Sequence, residues 1–307
     1  MIAVAAAVVA AVAAGAWARR RFGERAEDAG RHLLSALIYT VVPFVAFVNV
    51  TRLEASLDLG AGIVLALAAV SLTGLAAWLL ARRALGLGAP QAGAVVIAAI
   101  LANTGYLGLP LTVALLGSDE LGEAVAYDAA VGAPVLLLGA FGVAAATGER
   151  AGHGAGQRLR AFFLRNPPLL AVFAALAAPD SLAPDVLVDA SRVLVAAILP
   201  LGFFAAGAIL SGAAGDGDGR SRRALAAPVG LALALRLIVA PALLLGMSAP
   251  LIDLPGAFLV EAAMPCGINA LAVAHLYGLD ERISAAAITL GTVAVLAGAL
   301  VADAAFL

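Results

Sequence analysis

Ten apolar runs, spaced along almost the whole chain, decide what this sequence can fold into. They occupy residues 1–18, 33–50, 59–81, 91–116, 123–147, 162–178, 187–211, 224–248, 255–276 and 283–306. A helix crossing a hydrocarbon core of about 30 Å needs about 20 mostly apolar residues. The sixth run is the shortest and opens at Asn166-Pro167-Pro168; proline fits a first helical turn, where its missing N–H would be unpaired anyway. Soluble domains carry roughly 25% charged residues. This chain of 307 residues has 12% charged and 64% hydrophobic, with a mean hydropathy of +1.06, too little charge to cover a water-facing surface. The fold class that follows is an all-α polytopic membrane protein.

The charges between the runs test the number of crossings. Every basic residue is an arginine. Arg19, Arg20, Arg21, Arg25 and Arg31 follow the first run, Arg82 and Arg83 the third, and Arg150, Arg158, Arg160 and Arg165 the fifth. Arg220, Arg222 and Arg223 follow the seventh, and Arg282 the ninth. The alternate connections hold only Arg52 and Arg192, and are otherwise acidic or neutral. Arginine excess marks cytoplasmic loops, so fifteen arginines on one side against two on the other predict ten transmembrane helices with the N- and C-termini outside. The first run has its positive cluster after the apolar stretch, the reverse of a secretory signal, and is expected to be a retained spanning helix. A net charge of −2 gives no sign of a nucleic-acid partner. A single cysteine, Cys266, excludes a disulfide framework and a cysteine metal cluster. No cofactor is expected, and the partners are the lipid bilayer and the transported ligand.

The Gly- and Arg-rich stretch "TGERAGHGAGQRLR" (148–161) divides the chain. Residues 1–148 form one five-helix repeat, 149–165 a cytoplasmic linker, and 166–307 a second repeat. Five crossings per half invert the second half relative to the first. The halves echo each other: "LLGSDELGEAVAYDA" (115–129) resembles "HLYGLDERISAAAIT" (275–289), setting Gly117 opposite Gly278 and Asp119 opposite Asp280. In that register "NTG" (103–105) falls on "MPC" (264–266), and Pro43 lies near Pro200. Inverted repeats with interruptions at matching places point to a secondary transporter and to its binding site.

Both interruptions are rich in helix-breaking residues. The fourth run carries "LANTGYLGLPL" (101–111) and the ninth "AMPCGINA" (263–270). Unpaired backbone groups in lipid cost several kcal/mol each, so broken helices persist only where protein or a cavity surrounds them. Pro110 removes an N–H, and Gly105 and Gly108 permit unwinding; Pro265, Gly267 and Asn269 repeat the device. Two breaks crossing at the midplane would present helix N-termini, whose N–H groups and positive dipole ends suit an anion. Asn103, Thr104 and Asn269 add side-chain donors and acceptors there. Tyr106 either stacks on an aromatic ligand or lines the crossing.

The same residues resemble a known family. "LANTGYLGLPL" is similar to the fourth-helix signature of the auxin efflux carrier family, and "AMPCGINALAVAHLYGLD" to its ninth-helix motif. "RNPPLLA", "LPLGFFAAGAIL" and "GAWARRRFG…LIYTVVPFVAF" resemble its sixth, seventh and first two helices. The resemblance implies a ten-helix inverted-repeat carrier, a prokaryotic member, with broken helices four and nine crossing at the site. Helices one, two, six and seven would form a scaffold, through which a homodimer would assemble, and the others a moving body. It implies small organic anions as substrates, auxin-like or mono- and dicarboxylates. The substrate-binding residues it selects are Asn103, Thr104, Gly105, Tyr106, Pro110, Pro265, Cys266, Gly267 and Asn269. Cys266-Gly267 stands in the variable part of the ninth-helix motif.

Besides charges near the ends of the runs, such as Asp303, which reads as interfacial, three lie deeper inside, where an ionised side chain costs roughly 2.5–3.5 kcal/mol on insertion scales. Arg236 lies near the middle of the eighth run, Glu261 one turn before the ninth-run break, and Asp128 in the fifth run. Arg236 either pairs with Glu261 or Asp128, or serves a substrate carboxylate; Glu261 or Asp128 is the candidate for responding to a proton or cation. Coupling to H+ or Na+ is left open by the residues. His275 reads as a packed or hydrogen-bonded side chain near the inner end of the ninth run. The expected function is alternating-access transport of a small organic anion across a bacterial inner membrane. Its alternatives are a sodium-coupled bile-acid-type symporter and a sodium/proton exchanger of the same architecture. No GxSG, HExxH or Ser/His/Asp arrangement points to an enzyme.

Overall fold

The structure is a computed structural model that describes residues 2–53, 56–149, 167–213 and 219–306. The linker expected over 149–165 lies outside these residues beyond Glu149, as do the start of the sixth run and residues 214–218. Among the described residues the chain is helical and has no strands. The helices are α1 (Ile2–Phe22), α2 (Glu24–Thr51), α3 (Leu57–Ala84), α4 (Ala89–Ile100), α5 (Thr104–Leu116) and α6 (Ser118–Thr147). They continue as α7 (Pro167–Leu176), α8 (Asp185–Ala213), α9 (Leu225–Ser248), α10 (Gly256–Ala262), α11 (Asn269–Tyr277) and α12 (Glu281–Phe306). Seven of them are long and apolar enough to cross a membrane: α1, α2, α3, α6, α8, α9 and α12. The fourth run is the broken pair α4–α5, and the ninth the broken pair α10–α11.

Small residues set the packing. Residues Ala92 to Ile100 of α4 are all buried, because α3, α6, α9 and α12 surround the helix. Its uniform Ala, Gly, Val and Ile faces suit that position, since a helix apolar on every side belongs in an interior. On the other flank α1 lies along α8 at close range: a Cβ on Gly15 would meet the Phe204 carbonyl, and one on Gly207 the Val12 carbonyl. Close backbone approach through glycine is how spanning helices gain van der Waals contact without a hydrophobic driving force. α8 also packs on α2, and α7 runs along the second half of α2. A buried polar tie joins α2 to α8, where Asn49 Nδ2 donates to Ser191 Oγ at 3.0 Å and to Val45 O at 2.8 Å. The ends of α5 and α11 share one device. Gly117 (φ 103°) and Gly278 (φ 70°) follow them with positive φ, a conformation that glycine adopts without steric cost.

Prolines mark a second recurrent device. Pro43, Pro110, Pro134 and Pro241 each stand two residues after a wide, π-helical turn, over Leu37–Val41, Thr104–Gly108, Asp128–Gly132 and Leu235–Val239. A proline ring clashes with the carbonyl four residues back and leaves a bond unmade; a widened turn displaces that carbonyl. Pro200 and Pro228 sit in continuous helix without such a turn.

Candidate functional site

The two breaks are joined through their backbones. Ala102 and Cys266 form an antiparallel bridge, in which Asn103 N–H donates to Pro265 O at 2.8 Å and Gly267 N–H to Leu101 O at 3.0 Å. Gly267 has no room for a side chain, since a Cβ there would stand 2.9 Å from Ala102 O. Each break therefore satisfies part of what the other leaves unpaired, as burial demands. α4 and α10 end at the bridge, and α5 and α11 begin there.

The ends of the arriving helices converge on Arg236. Its guanidinium is 1% exposed. Nη1 donates to Ala99 O at 3.4 Å and Ile100 O at 3.3 Å, and Nη2 donates to Ala262 O. Ala99 and Ile100 close α4, and Ala262 closes α10. Last-turn carbonyls lack intrahelical donors and carry the negative dipole end, so one cation neutralises two helix termini. Among the described residues Arg236 makes no ion pair; of the two readings the sequence left open, the pairing with Glu261 or Asp128 is replaced by carbonyl contacts. The reason is geometric: the breaks put freed carbonyls closer to the guanidinium than any carboxylate.

The starts of the departing helices open instead onto a cavity of about 280 Å³. Its walls include Asn103 to Tyr106 from the first break, Gly267 to Asn269 from the second, Asp128 and Gly132 from α6, and Tyr39 from α2. The first N–H groups of α5 and α11 have no acceptor upstream in their own helices. Asn103 is 3% exposed, and among the described residues its Nδ2 has no hydrogen-bond partner. Thr104 Oγ1 donates to Asp128 Oδ1, and the carboxylate lies over the bare backbones of Gly105 and Gly132. Tyr106 is buried, with its hydroxyl donating to Leu34 O at 3.3 Å.

Of the residues singled out in the sequence, Asn103, Thr104, Gly105, Tyr106, Asp128, Gly267 and Asn269 line this cavity. Pro110, Pro265 and Cys266 are buried beside it and shape the breaks. Arg236 stands behind the bridge. Glu261 is fully buried in the last turn of α10, against Gly108, and Oε1 accepts from Thr112 Oγ1 at 3.3 Å while Oε2 has no partner among the described residues. His275 is exposed and within 2.9 Å of Glu281, away from the cavity. Sequence reasoning missed Tyr39, Gly132 and the Asn49–Ser191 tie. Pro134, two residues beyond Gly132, was the signal that α6 is distorted beside Asp128. Among the described residues no group of three His, Cys, Asp or Glu side chains is placed to hold a metal.

Long apolar helices, two of them interrupted around a polar cavity, are the build of a multi-pass membrane transporter. The chain belongs to the family described as membrane transport protein, the auxin efflux carrier family, whose model matches residues 1–148 and 163–301. It is 25% identical to an uncharacterized transporter of Methanocaldococcus jannaschii over 287 residues, 88% of each chain. It is 28% identical to an uncharacterized transporter of Methanothermobacter thermautotrophicus over 281 residues, 88% of this chain and 87% of that one.

Proposed function

We propose that the protein is a secondary carrier of small organic anions, auxin-like or mono- and dicarboxylates, working by alternating access at the crossing of helices four and nine. In this reading the chain has ten transmembrane helices in two inverted five-helix repeats, 1–148 and 166–307. It lies in a bacterial inner membrane with both termini outside. The observation that carries the reading is the polarity of the paired breaks. Their C-terminal ends are neutralised by Arg236, while their N-terminal ends face the cavity with the unpartnered Asn103 amide. N–H groups and a positive dipole end favour an anion.

Arg236 also weighs against the sodium-coupled bile-acid-type reading. Carriers with broken helices coordinate sodium with unwound carbonyls and half-helix C-termini, and here a guanidinium takes those carbonyls. Asp128 in the cavity is the one observation favouring a sodium/proton exchanger. A thermal-shift screen of the purified protein against small carboxylates, with and without sodium, separates the readings. A carboxylate at 100 times its dissociation constant adds about 2.7 kcal/mol to native stability. The expected result is a shift with carboxylates that is lost in Asn103→Ala and Asn269→Ala. Those variants should stay folded and lose transport; full transport in both overturns the site, and a shift with sodium alone favours the exchanger.

A further inference from the structure

The cavity carries an imbalance that an anion has to resolve. Asp128 lines it, and among the described lining residues there is no basic side chain. Arg236 is committed to Ala99, Ile100 and Ala262 on the far side of the bridge. A carboxylate ligand entering beside an ionised Asp128 would place two negative charges in one small, weakly solvated space, where repulsion is far stronger than in water. We infer that anion and proton bind together, the proton on the Asp128 carboxyl, so that this residue is the coupling group of a proton–anion symporter. The inference rests on the anion-carrier reading above.

The surroundings of Asp128 suit a carboxyl that changes protonation state. Thr104 Oγ1 donates to Oδ1, which serves the carboxyl in its ionised form. The side chain is half-buried and in contact with the cavity, so a proton reaches it by the route the ligand takes. On protonation the carboxyl becomes a donor aimed at the same space, adding to the Asn103 amide a hydrogen bond that the ionised form cannot make. The titratable groups around it are few. Tyr106 comes from α5 and Tyr39 from α2, and Glu261 on α10 interacts with it electrostatically. Its own helix brings Glu123 and Tyr127, with Asp119 and Glu120 at its start; α3 brings Asp58 at its start and Arg82 and Arg83 in its last turn, and α7 brings none. Among the described residues neither arginine lines the cavity, so no cation there offsets the Asp128 charge. Glu261 lies fully buried outside the cavity lining and is not a rival for contact with the ligand.

The test is calorimetric titration of the purified protein with malonate in sodium-free solution, across a pH series, in two buffers of different ionisation enthalpy. The difference between buffers reads the protons taken up per malonate bound. In the wild type, proton uptake should rise towards one as pH rises through the titration of the empty site, and affinity should fall about tenfold per further pH unit. Asp128→Asn, a permanently neutral side chain of the same shape, should bind malonate without proton uptake. Thr104→Val withdraws a donor from the ionised carboxylate, so its uptake should begin at higher pH; this second variant keeps the test open if Asp128→Asn fails to fold. Malonate binding without proton uptake at any pH overturns the inference and leaves the carrier reading standing. Binding that requires sodium, or proton uptake that persists in Asp128→Asn, overturns it as well. Absence of any malonate binding in wild type and Asp128→Asn alike takes down the dicarboxylate site, and this inference with it.

Discussion

A guanidinium held at 1% exposure in the middle of α9 survives because three carbonyls receive it, and those carbonyls exist only because two other helices stop. The sequence told that Arg236 had to be compensated; it did not tell by what, since the Ala99, Ile100 and Ala262 carbonyls have no signature in the side chains around them. Acidic residues are the visible partners in a sequence, and backbone acceptors are invisible there. Hydrogen bonds to charged groups are worth about 1.5–3 kcal/mol, and unpaired buried groups cost about 1–3. Arg236→Met should therefore lower stability by about 2–4 kcal/mol, and Arg236→Lys should recover only a fraction, because a compact ammonium lacks the planar fork that spans both helix ends. Chemical unfolding of the purified variants in detergent measures both. Equal stability of Arg236→Met and wild type would remove the clamp from the account.

The broken helices were the most legible elements, because their glycines and prolines lie where a spanning helix tolerates them least. Asn103 and Asn269 were readable for the same reason. What the sequence concealed was the partnership between breaks. The pairing of Leu101–Asn103 with Pro265–Gly267 is long-range backbone geometry, on which residue identity bears only through Gly267. The wide turns before Pro43, Pro110, Pro134 and Pro241 were half visible: proline announced the trouble, though not its remedy, and Pro200 shows that the same residue also occurs without one. Gly267→Ala tests the pairing. A methyl group 2.9 Å from Ala102 O must push the two breaks apart, with strain of about 1–3 kcal/mol. The expected result is impaired transport together with a lower melting temperature in detergent; unchanged values for both would show that the close approach is dispensable.

At the scale of the molecule, the arginine distribution gave an orientation that surface labelling can check. Leu182, in the connection before α8, and Leu85, just after α3, are accessible at 53% and 36% exposure, and the charge pattern assigns them to opposite sides. Cys266 is fully buried and forms a silent background. In intact cells an impermeant maleimide should label Leu182→Cys and spare Leu85→Cys until the membrane is opened; the reverse order would invert the proposed topology. The proposed grouping of α1, α2, α7 and α8 was less legible, because they look in composition much like the rest. The glycine contacts between α1 and α8, the tie of Asn49 to Ser191 and the packing of α7 along α2 support it. The backbone bridge has a mechanical meaning for that division. Parting α4–α5 from α10–α11 would strand four peptide groups in a poorly solvated interior, at several kcal/mol each, so thermal motion leaves the junction shut. In the proposed carrier the cheaper motion is for the walls of the cavity to travel as one freight car past a stationary track. In that proposed motion cargo and container share a single displacement.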